Sequence, residues 1–481
     1  MSGLRIGWGK EDITPISRIC KKVSLMGQLY ERVTDVVRDN IYVTALALES
    51  TSGTKAVIAS LEINYIPELL MTAAREKLRV AVPDLPPEAL IMTATHVHTG
   101  PYLENNFPSA LWGHRFKFIS KDHEVLSPEV YMDFVAQKCA FAVAAAWTGR
   151  SSGGVALAFG RVAVPQSRFV SYKDGSTSIY GTTNVNNFLR IEGGADTGVE
   201  YIATFDAARV MTGVVINLAC PAQVIEHQSY ISADLWGEVR RLWPECPYIL
   251  PLCGAAGDIA MRDLVRRDRS EQSMNTETGM NQQAGRILRE TRHILSEIKP
   301  EDIWYDMPIK HKIRNISLPL RMVSEDEYYK AKTIYDTFER DYENNDYSQP
   351  YEDSIPLRMN DRMNYAMAAG VVNRYKLQQE VTAVDMEVHA LRLGDAVLTT
   401  NPFELFQDYG MQIKARSPAR QTLIAQLSCG HLGYLPTAIG VTGGSYSTGI
   451  YNGYVGLEGG HMLVEITLDT IEACFETTKQ R

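Results

Sequence analysis

The chain is predicted to be an α/β protein, a single domain of mixed sheets in layers with helices packed on the sheets. Three observations predict this. Short β-rich apolar runs alternate with helical patterns along all 481 residues. Several runs, such as 89–94, 211–219 and 248–252, are apolar enough to be buried strands. No internal repeat, low-complexity linker, or Rossmann or P-loop glycine pattern breaks the alternation.

The elements follow in order. The first ninety residues read as strand, loop, strand, strand, helix. The runs 41–48 and 56–61, separated by Ser52-Gly53, form a hairpin signature. Residues 67–80 carry apolar residues at helical spacing, and the strand 89–94 follows a proline cluster. A helix over 128–148 is stopped by Gly149, Gly153 and Gly154, and a strand over 155–164 succeeds it. Next come the strand 211–219, a helix over 233–243, the strand 248–252 and a helix over 279–298. Residues 306–318 are β-like. The polar stretch 325–345 reads as a solvated surface helix rather than a lid, and 360–376 is also helical. The strands 384–393 and 396–400 turn at Gly394-Asp395. A helix over 404–415, a strand over 421–427 and a helix over 462–477 close the chain.

Composition excludes several classes. The charge of −9 and the absence of a basic tract argue against a nucleic-acid partner. No run of about eighteen apolar residues exists, so no membrane span is expected. The N-terminus lacks an apolar core of signal-peptide length. Seven cysteines are scattered, with no Cys-x-x-Cys pair. These features predict reduced thiols, a cytoplasmic protein and no cysteine metal site. The partner expected is a small-molecule substrate, and a homo-oligomer is compatible with the composition.

Candidate chemistry sits where buried strands end, the usual place for sites in α/β proteins. Thr95-His96-Val97-His98-Thr99-Gly100-Pro101 leaves the strand 89–94. Residues two apart on a strand share a face, so His96 and His98 suit one divalent metal, or one metal and an acid–base partner. Cys220-Pro221 opens a segment that places Glu226 beside His227 and leads to Asp234, which caps the next helix or faces a substrate. In Cys253-Gly254-Ala255-Ala256-Gly257-Asp258, amides near Gly257 suit an oxyanion hole, and Asp258 suits orientation of a ligand histidine. Glu404 follows Pro402-Phe403 as a helix-start residue or a metal ligand. His431 and Tyr434 lie in Gly430-His431-Leu432-Gly433-Tyr434. Arg168 is a clamp for an anionic or carbonyl group.

Taken in order, these segments resemble the neutral/alkaline (non-lysosomal) ceramidase family over nearly the whole chain. The resemblance begins at Gly7-Trp8-Gly9-Lys10-Glu11-Asp12-Ile13-Thr14-Pro15. It continues through Thr95-His96-Val97-His98-Thr99-Gly100-Pro101 and Gly257-Asp258, and ends in Gly433-Tyr434-Leu435-Pro436-Thr437 and Gly459-Gly460-His461. It implies one catalytic domain over 1–481, with a polar helical insertion over 321–376 and no C-terminal immunoglobulin-like domain. It also implies one catalytic zinc, held by His96, Glu404 and Tyr434, with His98 lining the site and Arg168 close to the substrate. The family's second zinc histidine falls where this chain reads Cys220-Pro221-Ala222-Gln223, so His227 or Glu226 takes its place. The family's Gly-Asp-x-Ser motif reads Gly257-Asp258-Ile259-Ala260, which points away from ceramide itself.

The expected activity is a zinc-dependent hydrolase that uses metal-activated water on an amide, ester or lactone carbonyl of a soluble substrate. Glu226 or His227, whichever does not bind zinc, would move the protons. Gly257, Asp234 and His431 would contact the substrate. The alternatives are a metal-dependent hydrolase or lyase acting on a carbohydrate or cyclitol, with Asn184, Asn186 and Asn187 binding hydroxyls, and a degenerate member that binds without turnover.

Overall fold

The computed structural model describes residues 3–28, 32–103, 124–266, 274–344 and 359–476. A larger sheet is built from β1 (Arg5–Asp12), β2 (Tyr42–Glu49), β3 (Lys55–Leu61), β4 (Leu90–Ala94), β5 (Ser151–Arg161), β6 (Gly198–Asp206), β7 (Met211–Leu218) and β8 (Ile249–Cys253). Their spatial order is β8-β7-β6-β5-β1-β2-β3-β4. Each edge of this otherwise antiparallel sheet ends in a parallel pair, β7 with β8 and β3 with β4. Six further strands are β9 (Ile309–Pro319), β10 (Ala383–Leu393), β11 (Ala396–Thr400), β12 (Glu404–Leu405), β13 (Gln421–Ala425) and β14 (Tyr434–Leu435). A second sheet runs β9-β10-β11-β13, and β12 pairs with β14 in parallel.

Alternation along each strand explains the layers. Leu46, Ile58, Ile91, Val215 and Leu250 point toward the second sheet and meet Leu391, Leu398 and Leu423. The neighbouring residues Ala45, Val57 and Met92 point the other way, onto α1 (Glu68–Ala81) and α2 (Pro128–Thr148). The other half of the large sheet is covered by α3 (Leu235–Leu242) and α4 (Glu277–Ser296). After α5 (Glu325–Asn344) and α6 (Met359–Leu377) come α7 (Gln407–Arg416) and α8 (Leu457–Phe475), which cover the second sheet. Most strands are buried on both faces, and this is why they read as unbroken apolar runs. Ala331 of α5 packs with Ala368 and Val372 of α6 in a small separate core. The segment 345–358 of the expected insertion lies outside the described residues.

The opening glycine motif serves packing. A Cβ on Gly7 or Gly9 would sit 2.0 Å from the carbonyl oxygens of Ala146 and Ala142. Only glycine lets β1 approach α2 so closely. α2 starts where predicted, at Ser127-Pro128, with the Ser127 hydroxyl accepting from the Val130 amide.

The large sheet folds back on itself, so that β8 at one edge packs against β3 and β4 at the other. Ser60 Oγ on β3 donates to the Pro251 carbonyl on β8 at 2.5 Å. The C-terminal ends of β4, β7 and β8 therefore meet, and the Ala222 amide donates to the Thr95 carbonyl. Asn217, buried on β7, joins the two sheets: its side chain donates to the Leu252 and Ile424 carbonyls and accepts from the Ile424 amide. Replacing Asn217 with Leu leaves those backbone groups without partners. The expected loss is about 1–3 kcal/mol of stability, read as a lower urea midpoint, and an unchanged midpoint would count against this role.

Three expectations need correction. The strand Gly198–Asp206 was not expected, and the strand placed at 155–164 starts at Ser151. The helix placed at 404–415 begins at Gln407, because Glu404 is drawn into backbone pairing with Tyr434. The last helix begins at Leu457, ahead of the expected 462. Gly459 and Gly460 masked its start. Gly460 keeps a contact free, since a Cβ there would lie 2.5 Å from the Tyr409 hydroxyl. Among the described residues, no helix is long and apolar enough to cross a membrane.

Candidate active site

β4 delivers His96 two residues past its end, in a left-handed conformation (φ 65°) that breaks strand alternation. His96 Nδ1 hydrogen-bonds the Asn64 carbonyl at 2.7 Å. A carbonyl only accepts, so Nδ1 carries a proton and Nε2 is the ring atom turned toward the other groups of the site. That Nε2 lies 3.2 Å from Glu404 Oε2. Glu404 and Tyr434 are register partners in the β12–β14 pair, so their side chains share one face. Burial works against the Glu404 charge, yet His96 and a hydrogen bond from Tyr434 hold its pKa down at about 2. Burial and the same carboxylate push the Tyr434 phenol up, so it keeps its proton.

Arg168 closes this group from the side. Its Nη2 donates to the Gly257 carbonyl at 2.8 Å and to the Tyr434 hydroxyl at 3.2 Å. Its buried Nε has no hydrogen-bond partner among the described residues. A buried donor left open beside the group is available to a substrate oxygen.

A second pair adjoins the first. The His98 ring meets the His96 ring edge-on, with centroids 5.1 Å apart. His98 Nδ1 lies 3.2 Å from Glu226 Oε2, and the Gln223 side-chain amide donates to His98 Nε2 at 2.7 Å. An accepting Nε2 places the ring proton on Nδ1, close to the carboxylate but out of line for a hydrogen bond. Burial lowers the His98 pKa to about 4, so the ring is neutral. His98, followed by nearby charges, keeps Glu226 ionised against the opposing effect of burial. Arg32 anchors the pair: its guanidinium donates to the carbonyls of Glu226, Gln228, Met26 and His98.

The remaining expected residues divide. His431 stacks on Tyr65 at 4.3 Å and is held neutral at about 4, chiefly by burial. His227 turns outward with its side chain 58% exposed, so of the adjacent pair Glu226 is the residue that faces inward. Asp234 does not face a substrate. It is fully buried and accepts from the amides of Val224, Ile225 and Leu235, which shapes the loop before Glu226. The Gly257 amide is engaged by the Leu405 carbonyl, and the Ala256 amide by Gln426, so neither serves an oxyanion. Asn184, Asn186 and Asn187 are exposed, with Asn187 donating to Asp174. Arg32, Asn64 and Gln223 went unnoticed in the sequence because nothing local marks them.

Asp258 accepts the Gln407 amide at 2.8 Å and so fixes the segment after Glu404. Burial, then Asp408, raises its pKa to about 7. An unfolded aspartate titrates near about 3.9. Between those values the folded state holds the extra proton, so this contribution to stability is complete below about pH 3.9 and is lost as pH rises through about 7. Asp258→Asn keeps the acceptor oxygen and removes the titration. Its melting temperature is expected to fall less than that of the natural chain over this range, and parallel curves would contradict the assignment.

No protein-family model and no curated protein matches the sequence. Among solved structures, the fold is similar to neutral ceramidase from Pseudomonas aeruginosa, with a TM-score of 0.70 and 14% identity over 98% of this chain and 74% of that one. It is also similar to a ceramidase complexed with C2, with a TM-score of 0.69 and 14% identity over 99% of this chain and 77% of that one. The strand-end loops that resembled the ceramidase family in sequence therefore lie on the fold that family uses. This chain is a divergent ceramidase-like protein in fold, and its chemistry is to be argued from its own side chains.

Proposed function

We propose that this protein is a zinc-dependent hydrolase acting on an amide, ester or lactone carbonyl of a soluble substrate. One observation carries the reading. His96 Nε2 faces the ionised Glu404 carboxylate at 3.2 Å, with the Tyr434 hydroxyl on the same carboxylate. An imidazole nitrogen and a carboxylate oxygen this close need a cation between them, and zinc would take the place of the proton that otherwise bridges them. A nitrogen, a carboxylate oxygen and a phenol oxygen form a donor set suited to zinc, with a position left open. Bound zinc supplies Lewis acidity and lowers the pKa of water toward about 7.

The protein's own groups perform the rest. Arg168, its charge retained, directs its open Nε at the carbonyl oxygen and stabilises the charge that develops there. Glu226, oriented by His98 and Gln223, takes the proton of the attacking water and returns it to the leaving group. The residue at 260 is alanine, and this scheme uses water as the nucleophile, so no side-chain hydroxyl is required. Tag-free protein analysed by mass spectrometry should retain zinc, and it should cleave members of a panel of N-acyl compounds, esters and lactones. Protein that takes up no zinc on reconstitution, or turns over none of these classes, would refute the proposal.

A further inference from the structure

A second donor cluster lies at the seam between the two sheets. Glu387 and His389 are two apart on β10 and share a face, and Cys429 comes from the loop between β13 and Tyr434. One ligand atom from each lies within 4.8 Å of the other two. His389 Nε2 is 3.1 Å from Glu387 Oε1 and 3.7 Å from Cys429 Sγ. The edges of a tetrahedral zinc site are about 3.4–3.6 Å, given bonds of about 2.0–2.3 Å.

The surroundings orient the His389 ring. His311 Nε2 contacts His389 Nδ1 at 2.9 Å. His389 Nδ1 is thereby engaged, and Nε2 is the ring atom turned to Glu387 and Cys429. Arg75 on α1 grips both oxygens of Glu387, at 2.7 and 3.1 Å, and fixes the carboxylate plane. This is the outer support that ligating residues ordinarily receive. Leu427 and Cys429 both adopt left-handed backbone conformations (φ 51° and 57°), which turn the thiol onto β10.

We propose that Glu387, His389 and Cys429 bind a second transition-metal ion of the zinc class, a structural site that pins the loop carrying His431 and Tyr434. A thiol, an imidazole and a carboxylate together select such an ion over calcium or magnesium. On binding, the thiol gives up its proton to solvent and the thiolate joins the metal. The scattered cysteines pointed away from a cysteine metal site. The fold assembles one from residues forty positions apart, which no spacing rule could register.

Full-length, tag-free protein, stripped with chelator and titrated with cobalt(II), tests this. A cobalt–thiolate bond gives a near-ultraviolet charge-transfer band, which the sulfur-free His96–Glu404–Tyr434 group cannot produce. The band should appear at one equivalent in the natural chain and in His96→Ala. It should vanish in Cys429→Ser, with one fewer bound equivalent and an unchanged circular dichroism spectrum. No band in the natural chain would overturn the proposal, with a proton on His389 bridging to Glu387 in place of a metal. A band that survives Cys429→Ser would overturn it as well. Either outcome is independent of whether the first site holds zinc.

Discussion

Glu404→Gln is expected to strip the candidate active site of zinc and to reduce hydrolysis to background. Glutamine has the same shape and still pairs with the Tyr434 hydroxyl, so packing is preserved. It lacks the charge that a dication needs in a buried site, where Coulomb interactions are strong. Burial opposes the Glu404 charge, yet its neighbours hold its pKa down at about 2, so this setting favours the anion. Loss of an outer-shell partner typically costs about 10–100-fold in metal affinity or activity, and loss of a direct ligand should cost more. Zinc content and turnover should fall together, and His96→Ala should do the same. Zinc content undiminished from that of the natural chain in both variants would remove the basis of the proposed function.

The parts of this site that were legible in sequence are those set by strand ends. His96, Glu404 and Tyr434 each follow a buried strand, and the architecture gathers such ends at one place. The relation between His96 and His98 was misread in detail. Alternation predicts that both rings share one face, but the positive φ of His96 aims the two rings at different carboxylates. The choice between Glu226 and His227 was not readable at all. It depends on Asp234, which ties down the amides two and one residues before Glu226, and on Arg32, which arrives from 194 positions away. Gly257 illustrates the limit of glycine patterns. The tight turn is real, but its amide is committed to Leu405. At the level of the fold, the missed strand Gly198–Asp206 carries Glu200, whose charge obscures a buried run. The fold answers that charge with Lys414, at 3.3 Å.

Glu226→Gln separates proton transfer from metal binding. If Glu226 acts as the general base, the variant should lose about 10²–10⁴-fold in kcat while zinc content and KM stay near those of the natural chain. Glutamine has the same shape, and the bonds from Arg32 and Gln28 to the backbone carbonyl at 226 persist, so the fold should not suffer. The placement of Glu226 favours this outcome over a ligand role. Its carboxylate is directed at His98 Nδ1, and its backbone carbonyl is fixed by Arg32 and Gln28. Among the described residues, no third histidine, cysteine, aspartate or glutamate atom forms a close group with His96 and Glu404. Glu226 therefore lies beyond the first layer of donors. His227→Ala should leave both zinc and turnover unchanged, because its side chain extends into solvent. A loss of zinc in Glu226→Gln would instead make this carboxylate the replacement for the family's missing histidine, and proton transfer would then have to come from another group. The two assignments differ in a single measurable ratio, metal content against kcat.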